Sequence, residues 1–150
     1  MPQSLTRNYI HIIFSTKHRE PLLHSPVKEE LWAYLGGVCN ELECNPLCIG
    51  GYTDHVHLLC LLSKKVALMK LVEKIKSNSS KWLKTRHKSL EGFCWQNGYG
   101  AFSVGPSQLP LVTAYIKNQE EHHRKKSFQE EFRSFLKKYE MEYDERYVWN

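Results

Sequence analysis

Apolar and polar positions alternate over Asn8 to Thr16, with Ile10, Ile12 and Phe14 on one side of an extended chain, which predicts a strand. Ser25-Pro26 opens a predicted helix, Ser as N-cap and Pro at the first helical position. Along it Val27, Leu31, Leu35, Val38 and Leu42 recur at helical spacing, and Asn45-Pro46 is expected to end it, because proline disfavours helical geometry in its predecessor. Leu47 to Tyr52 then reads as a short strand and Thr53-Asp54 as a turn. His55 to Leu62 is the hairpin partner, apolar on both faces and therefore expected at the centre of a sheet.

Val66 to Arg86 has the pattern of a long amphipathic helix, with Leu68, Leu71, Val72, Ile75, Trp82 and Leu83 on the buried stripe. Lys70, Lys74, Lys81, Lys84 and Lys88 fall on its other side. Phe93 to Val104 is a glycine-interrupted strand or hairpin. After the break at Gly105-Pro106-Ser107 a helix is predicted from about Pro110 to His123. Ser127-Phe-Gln-Glu130 is a capping box that opens a last helix, with Phe128, Phe132, Phe135, Leu136 and Tyr139 on one stripe. The order β-α-β-β-α-β followed by helices is the ferredoxin-like split βαβ plan, so the fold class is α+β, an antiparallel sheet with additional C-terminal helices. That plan serves many functions and selects none.

A length of 150 residues fits one domain spanning 1–150. No apolar run approaches the ~18 residues of a membrane span, and the first residues lack the apolar core of a secretory signal. A cytoplasmic, nucleoid-associated protein is therefore expected. The five cysteines are odd in number and form no Cys-x-x-Cys pair, which predicts reduced thiols rather than a disulfide framework or a zinc finger. The net charge is +5, yet Lys64 to Lys88 alone holds nine basic residues against one acid, Glu73. A concentration of that kind favours a polyanion, most simply nucleic acid, although a solvated helix face has the same look.

Candidate chemistry begins at Asp54-His55-Val56-His57. Residues two apart in a strand share a face, so both imidazoles can converge on one ion while Val56 points into the core. A lone His-x-His equally describes two ordinary polar residues on a sheet. In the following helix Tyr115 and Gln119 are four apart and hence neighbours on one face. Gln119 can offer an amide oxygen to a hard cation, with Tyr115 a turn away as a nucleophile; packing of Tyr115 with Val112 and Ile116 is the plainer alternative. Asp54 can orient the first imidazole, or merely form the turn. His122-His123 and Arg124-Lys125-Lys126 read as a phosphate-facing patch or a cationic helix end. Trp95, Tyr99 and Phe102 are candidates to stack on unpaired bases, at least one of them being expected in the core.

Taken together, Tyr9-Ile-His-Ile-Ile-Phe-Ser-Thr-Lys-His-Arg19, Gly51-Tyr-Thr-Asp-His-Val-His-Leu-Leu59, Trp95-Gln-Asn-Gly-Tyr-Gly-Ala-Phe-Ser-Val104 and Tyr115-Ile-Lys-Asn-Gln-Glu-Glu-His-His-Arg124 resemble the single-tyrosine HUH transposases of the bacterial insertion-sequence type. Their relatives associated with repetitive extragenic palindromes are similar as well. The resemblance implies a DNA transposase that binds hairpin single-stranded DNA ends. It would cut and rejoin single strands through a 5′-phosphotyrosine intermediate on Tyr115. It further implies a divalent ion, Mg or Mn, held by His55, His57 and Gln119, and a homodimer in which the tyrosine helix can serve the partner's histidines. Such an all-neutral set is expected to hold Mg weakly, since Mg prefers oxygen ligands and carboxylates. Lys70, Lys74, Lys81 and Lys84 would contact hairpin phosphates.

Two other readings compete. A domesticated or non-catalytic nucleic-acid-binding module of the same fold needs neither metal nor tyrosine. A metal-dependent phosphoesterase that uses water would leave no covalent adduct, but the two-histidine type needs two separated His-x-Ser/Thr motifs and the chain has only His87-Lys-Ser89.

Overall fold

A computed structural model describes residues 2–150. Four strands, β1 (Asn8–Ser15), β2 (Asn45–Gly51), β3 (His55–Leu62) and β4 (Gly100–Val104), form one antiparallel sheet in the order β2-β3-β1-β4. With α1 (Val27–Glu41) between β1 and β2, and α2 (Leu68–Lys84) between β3 and β4, this is the ferredoxin-like arrangement, and β3 is central as its apolar faces predict. Three further helices follow: α3 (Leu109–Lys117), α4 (Gln119–His123) and α5 (Phe128–Lys138).

The pleat divides the sheet into two buried faces. Ile12, Phe14, Val56, Leu58 and Cys60 meet Leu31, Leu35 and Val38 of α1 and Leu71, Val72 and Ile75 of α2 in the main core. The alternate residues turn the other way, where a ferredoxin-like sheet without additions would face water. Here α3 and α5 cover them: Ile13 packs with Phe102, Phe128, Phe132 and Leu136, and Leu59 with Val104 and Ile116. The histidines of β1 and β3 lie within this second layer.

Two glycines let the covering helices approach. A Cβ on Gly50 would lie 2.9 Å from the backbone oxygen of Ile116 in α3, and one on Gly100 would lie 2.6 Å from the Phe132 ring of α5. Gly50 is the cross-strand partner of His57, so α3 is drawn down beside the histidine pair.

Several local boundaries differ from the sequence expectation. Pro26 precedes α1 rather than occupying its first turn, and the Ser25 hydroxyl donates to the Glu29 carboxylate instead of capping the backbone. The helix ends at Glu41, and Glu43 takes a left-handed φ of 58° before the chain turns into β2. Asn45-Pro46 therefore begins a strand; β2 is an edge strand with a register shift at Pro46, where the missing N–H costs no ladder bond. Of Phe93–Val104 only the last five residues form a strand, Trp95 making an isolated bridge to Thr16. The predicted helix of Pro110 to His123 is broken at Asn118 (φ −98°, ψ 18°) into α3 and α4. Ser127 caps α5 as expected, accepting a bond from the Glu130 N–H.

The cysteines are free thiols; Cys39, Cys44 and Cys60 are buried, and burial pushes the Cys39 thiol up to about 12. Among the described residues no helix is long and apolar enough to cross a membrane.

Candidate active site

His55 and His57 stand on the β3 face that α3, α4 and α5 cover, and both are fully buried. Val56 between them is in the opposite core, as the period of two requires. The histidine Nε2 atoms turn toward the helices. His55 Nε2 lies 3.0 Å from Gln119 Oε1, and His57 Nε2 lies 2.9 Å from Glu131 Oε1. His123 of α4 points inward from the other side, its Nε2 2.9 Å from Gln119 Oε1 and 3.2 Å from Glu131 Oε2. One ligand atom from each of His55, His57, His123 and Glu131 falls within 4.8 Å of the others, a spacing suited to a single metal ion.

The outer nitrogens of the three imidazoles are all engaged. His55 Nδ1 meets Asp54 Oδ1 at 2.6 Å, His57 Nδ1 meets His11 Nε2 at 2.8 Å, and His123 Nδ1 meets the Lys126 carbonyl at 2.6 Å. A carboxylate and a carbonyl only accept, so the neutral tautomers of His55 and His123 place the proton on Nδ1 and a lone pair on Nε2. Those lone pairs then face the Gln119 oxygen and the Glu131 carboxylate, which are acceptors as well. Acceptors converging without enough protons between them form a cation site, and outer partners that fix ring tautomers are the usual support of metal-binding histidines. The residues fit a divalent metal. Three imidazoles suit Mn or Zn better than Mg, while the Glu131 carboxylate supplies the hard, charged oxygen that the neutral His-His-Gln set lacked.

Tyr115 is half-buried at the end of α3, its ring centroid 5.8 Å from that of His57. Its hydroxyl donates a short hydrogen bond to Glu131 Oε2 and lies 3.2 Å from His122 Nε2. Burial, with the adjacent Glu131 carboxylate, pushes the phenol well above its usual range. Burial would raise Glu131 as well, but the adjacent His123 and His57 imidazoles outweigh it and hold the carboxyl well below the usual range. Burial lowers His57 to about 4 against the opposing pull of Glu131. Without a cation the cluster thus holds an anionic Glu131, a neutral His57 and a protonated tyrosine.

The structure brings together Tyr115, His55, His57 and Gln119, although across the break at Asn118: Gln119 opens α4, and its amide nitrogen donates to the Tyr115 carbonyl at 3.3 Å. It adds Glu131, His123 and His11, none of which the sequence reading placed at the ion. Glu131 had a legible signal, a carboxylate between Phe128 and Phe132 on the apolar stripe of α5. His123 is four residues after Gln119, but its helical register was hidden in the His122–Lys126 basic run. Lys70, Lys74, Lys81 and Lys84 lie on α2, across the sheet from the histidines, with Lys70, Lys81 and Lys84 exposed. Among the aromatic candidates Trp95 is buried and donates to Ser79 Oγ, and Phe102 is in the second core; Tyr99 alone is exposed.

Comparison with known proteins gives a consistent picture. No match was found among curated protein sequences. Among solved structures, a candidate transposase from Deinococcus radiodurans R1 is similar with a TM-score of 0.62 at 20% identity, over 79% of this chain and 98% of that one. The REP-associated tyrosine transposase bound to a REP hairpin has a TM-score of 0.60 at 12% identity, over 82% of this chain and 73% of that one. At such identities the likeness is one of fold. Residues 4–119, spanning all four strands and reaching Gln119, match the family described as "Transposase IS200 like", and the chain belongs to that family of transposases.

Proposed function

We propose that this transposase cuts and rejoins single-stranded DNA at hairpin ends, with Tyr115 as nucleophile and a divalent metal at the histidine cluster. The observation that carries the reading is the meeting of a tyrosine hydroxyl with converging imidazole, amide and carboxylate acceptors in one buried site. His55, His57 and His123 would hold the ion with Glu131 and the Gln119 oxygen. Bound there, a divalent ion acts as a Lewis acid on the scissile phosphate and lowers the cost of forming a phenolate.

The chain's own residues supply the rest. Asp54, His11 and the Lys126 carbonyl hold the imidazoles in one orientation. Glu131 Oε2 accepts the phenolic hydrogen bond, and Glu131 and His122 Nε2 are the bases within reach of that proton. As the Tyr115 oxygen bonds to phosphorus, the bond to the 3′ oxygen breaks, and that oxygen leaves as a 3′-hydroxyl after taking up a proton. The phosphotyrosine keeps the phosphodiester's energy, so rejoining by a 3′-hydroxyl needs no nucleotide cofactor. The REP-associated relative was solved bound to a REP hairpin, which supports a hairpin substrate here. Lys70, Lys74, Lys81 and Lys84 would then meet the hairpin stem away from the cut, giving affinity that falls steeply with salt. A homodimer belongs to the same reading.

The test uses single strands carrying the palindromes that flank the gene, labelled at the 3′ end, with Mn. The native protein should leave an SDS-resistant protein–DNA band, because a 5′-phosphotyrosine keeps the downstream fragment. Tyr115→Phe keeps the ring and should fold, bind the strand and leave no band. Cleavage by the native protein with no band would make water the nucleophile.

A further inference from the structure

A pocket of 510 Å³ opens directly beside the Tyr115 hydroxyl, between β4, α3 and α5, and none of the chemistry above uses it. Tyr115 and Glu131 are part of its lining. Val104, Val112, Phe135 and Tyr139 form its apolar walls. The two aromatic rings are held in place from behind: Phe102 stacks on Phe135 at 5.4 Å and on Tyr139 at 4.7 Å. The Tyr139 hydroxyl donates to the Ser103 carbonyl on the edge strand. Lys126 and Lys138 belong to the same lining, and Lys126 Nζ is held 2.9 Å from Ser134 Oγ. Glu131 is the one carboxylate of the lining, and it is committed to the histidines and Tyr115.

The walls and the charges call for different parts of one ligand. An apolar slot faced by fixed aromatic rings suits a flat, uncharged π-system, and lysines beside it suit phosphates. The volume lies within the range of small-ligand sites. From this arrangement we infer that the pocket takes one unpaired nucleobase flanking the scissile phosphate, turned out of the strand and stacked against Phe135 and Tyr139, while Lys126 and Lys138 meet the adjoining phosphates. The inference rests on the strand-cutting reading for the identity of the ligand. It adds a source of sequence preference next to the cut, since pocket size and wall chemistry distinguish a purine from a pyrimidine. The distance between nucleophile and base pocket is short enough that a seated base would fix the phosphate's position relative to Tyr115.

The test is binding without cleavage, in EDTA. The probes are fluorescent single strands of about ten nucleotides, oligothymidylate and oligoadenylate, and a strand of equal length built from abasic residues. The native protein should bind the better base-bearing strand at least about fivefold more tightly than the abasic one, the lower end of what one stacked base contributes. Leu111→Trp, at an exposed position of α3 in the lining, fills the pocket and should erase that difference while leaving abasic affinity unchanged. Gln108→Trp, at an exposed lining position just before α3, serves the same purpose should the first variant show an altered melting transition. Equal affinity for base-bearing and abasic strands in the native protein would overturn the inference. So would a difference that survives in the filled variants, which would move stacking to another surface such as Tyr99. A filled variant that changes only the sedimentation of the free protein would make the pocket a contact between copies and likewise overturn it. Adduct formation at Tyr115 is scored separately, so loss of the catalytic reading and loss of the pocket give different results.

Discussion

Glu131 shows how one residue changes the character of a site. Without it, two buried histidines and an amide would make a neutral cluster with little hold on a hard cation. With it, a negative charge sits 2.9 Å from His57 Nε2, tied also to the Tyr115 hydroxyl. The same groups set a pH dependence. Burial lowers His57 from 6.5 to about 4 and also lowers His11, so on acidification the unfolded chain takes up those protons first. Stability is therefore full above about pH 6.5 and falls as pH drops through the window down to about 4. Glu131 acts in the same direction at lower pH: its folded carboxyl stays ionised after the unfolded one has begun to protonate near 4.5. The His57 shift alone is worth on the order of 3 kcal/mol. The metal-free protein should melt at least about 5 °C lower near pH 4.5 than near pH 7. His57→Gln should flatten the profile; an unchanged melting temperature across the window in the native protein would mean that these histidines are not buried in solution.

At the scale of elements, the βαββαβ frame was legible because its strands and first two helices have clean periods and each must cover one face of the sheet. The His55–Leu62 strand was readable to the residue, since its short apolar run is bounded sharply by the Thr53-Asp54 turn and by the polar Ser63-Lys64-Lys65. The second layer was less so. The break at Asn118 carries no proline or glycine, and it is set by tertiary packing: Ile116 buries against Leu59 while Gln119 turns toward His55. Likewise Glu131 became informative only once α5 was seen to lie over the histidines. Gly50 offers a test of how closely α3 must dock. An alanine there places its Cβ 2.9 Å from the Ile116 backbone oxygen, which cannot swing aside as a side-chain tip can. Gly50→Ala should destabilise by about 1–3 kcal/mol, as overpacking does, and should reduce adduct formation by displacing the end of α3 that carries Tyr115. A variant with native melting and native adduct yield would show that α3 docks more loosely than this contact implies.

Across the whole molecule, charge and chemistry occupy different sides of the sheet. The lysines of α2 lie outside the main core, whereas Tyr115 and the histidines lie beneath α3 to α5 on the opposite face. A strand that uses both must pass around an edge of the sheet, and β2 and β4 are those edges. The break at Gly105–Ser107 bears on the second question of scale, whether one chain or two make a site. Within a single chain, α3 already seats Ile116 against its own Leu59 and Val104, and the Tyr115 ring lies 5.8 Å from that of its own His57. The segment from Gly105 to Gln108 is short and runs straight into α3, with a 3₁₀ turn over Pro106–Gln108. This geometry predicts that Tyr115 and the histidine cluster act together within one chain. Mixing Tyr115→Phe with His57→Ala, each inactive alone, should then restore no covalent adduct, because neither chain holds a complete site. Recovery of the adduct on mixing, carried by the His57→Ala chain with its intact tyrosine, would show instead that α3 exchanges between subunits. The Gly105–Ser107 break would then be the hinge for it.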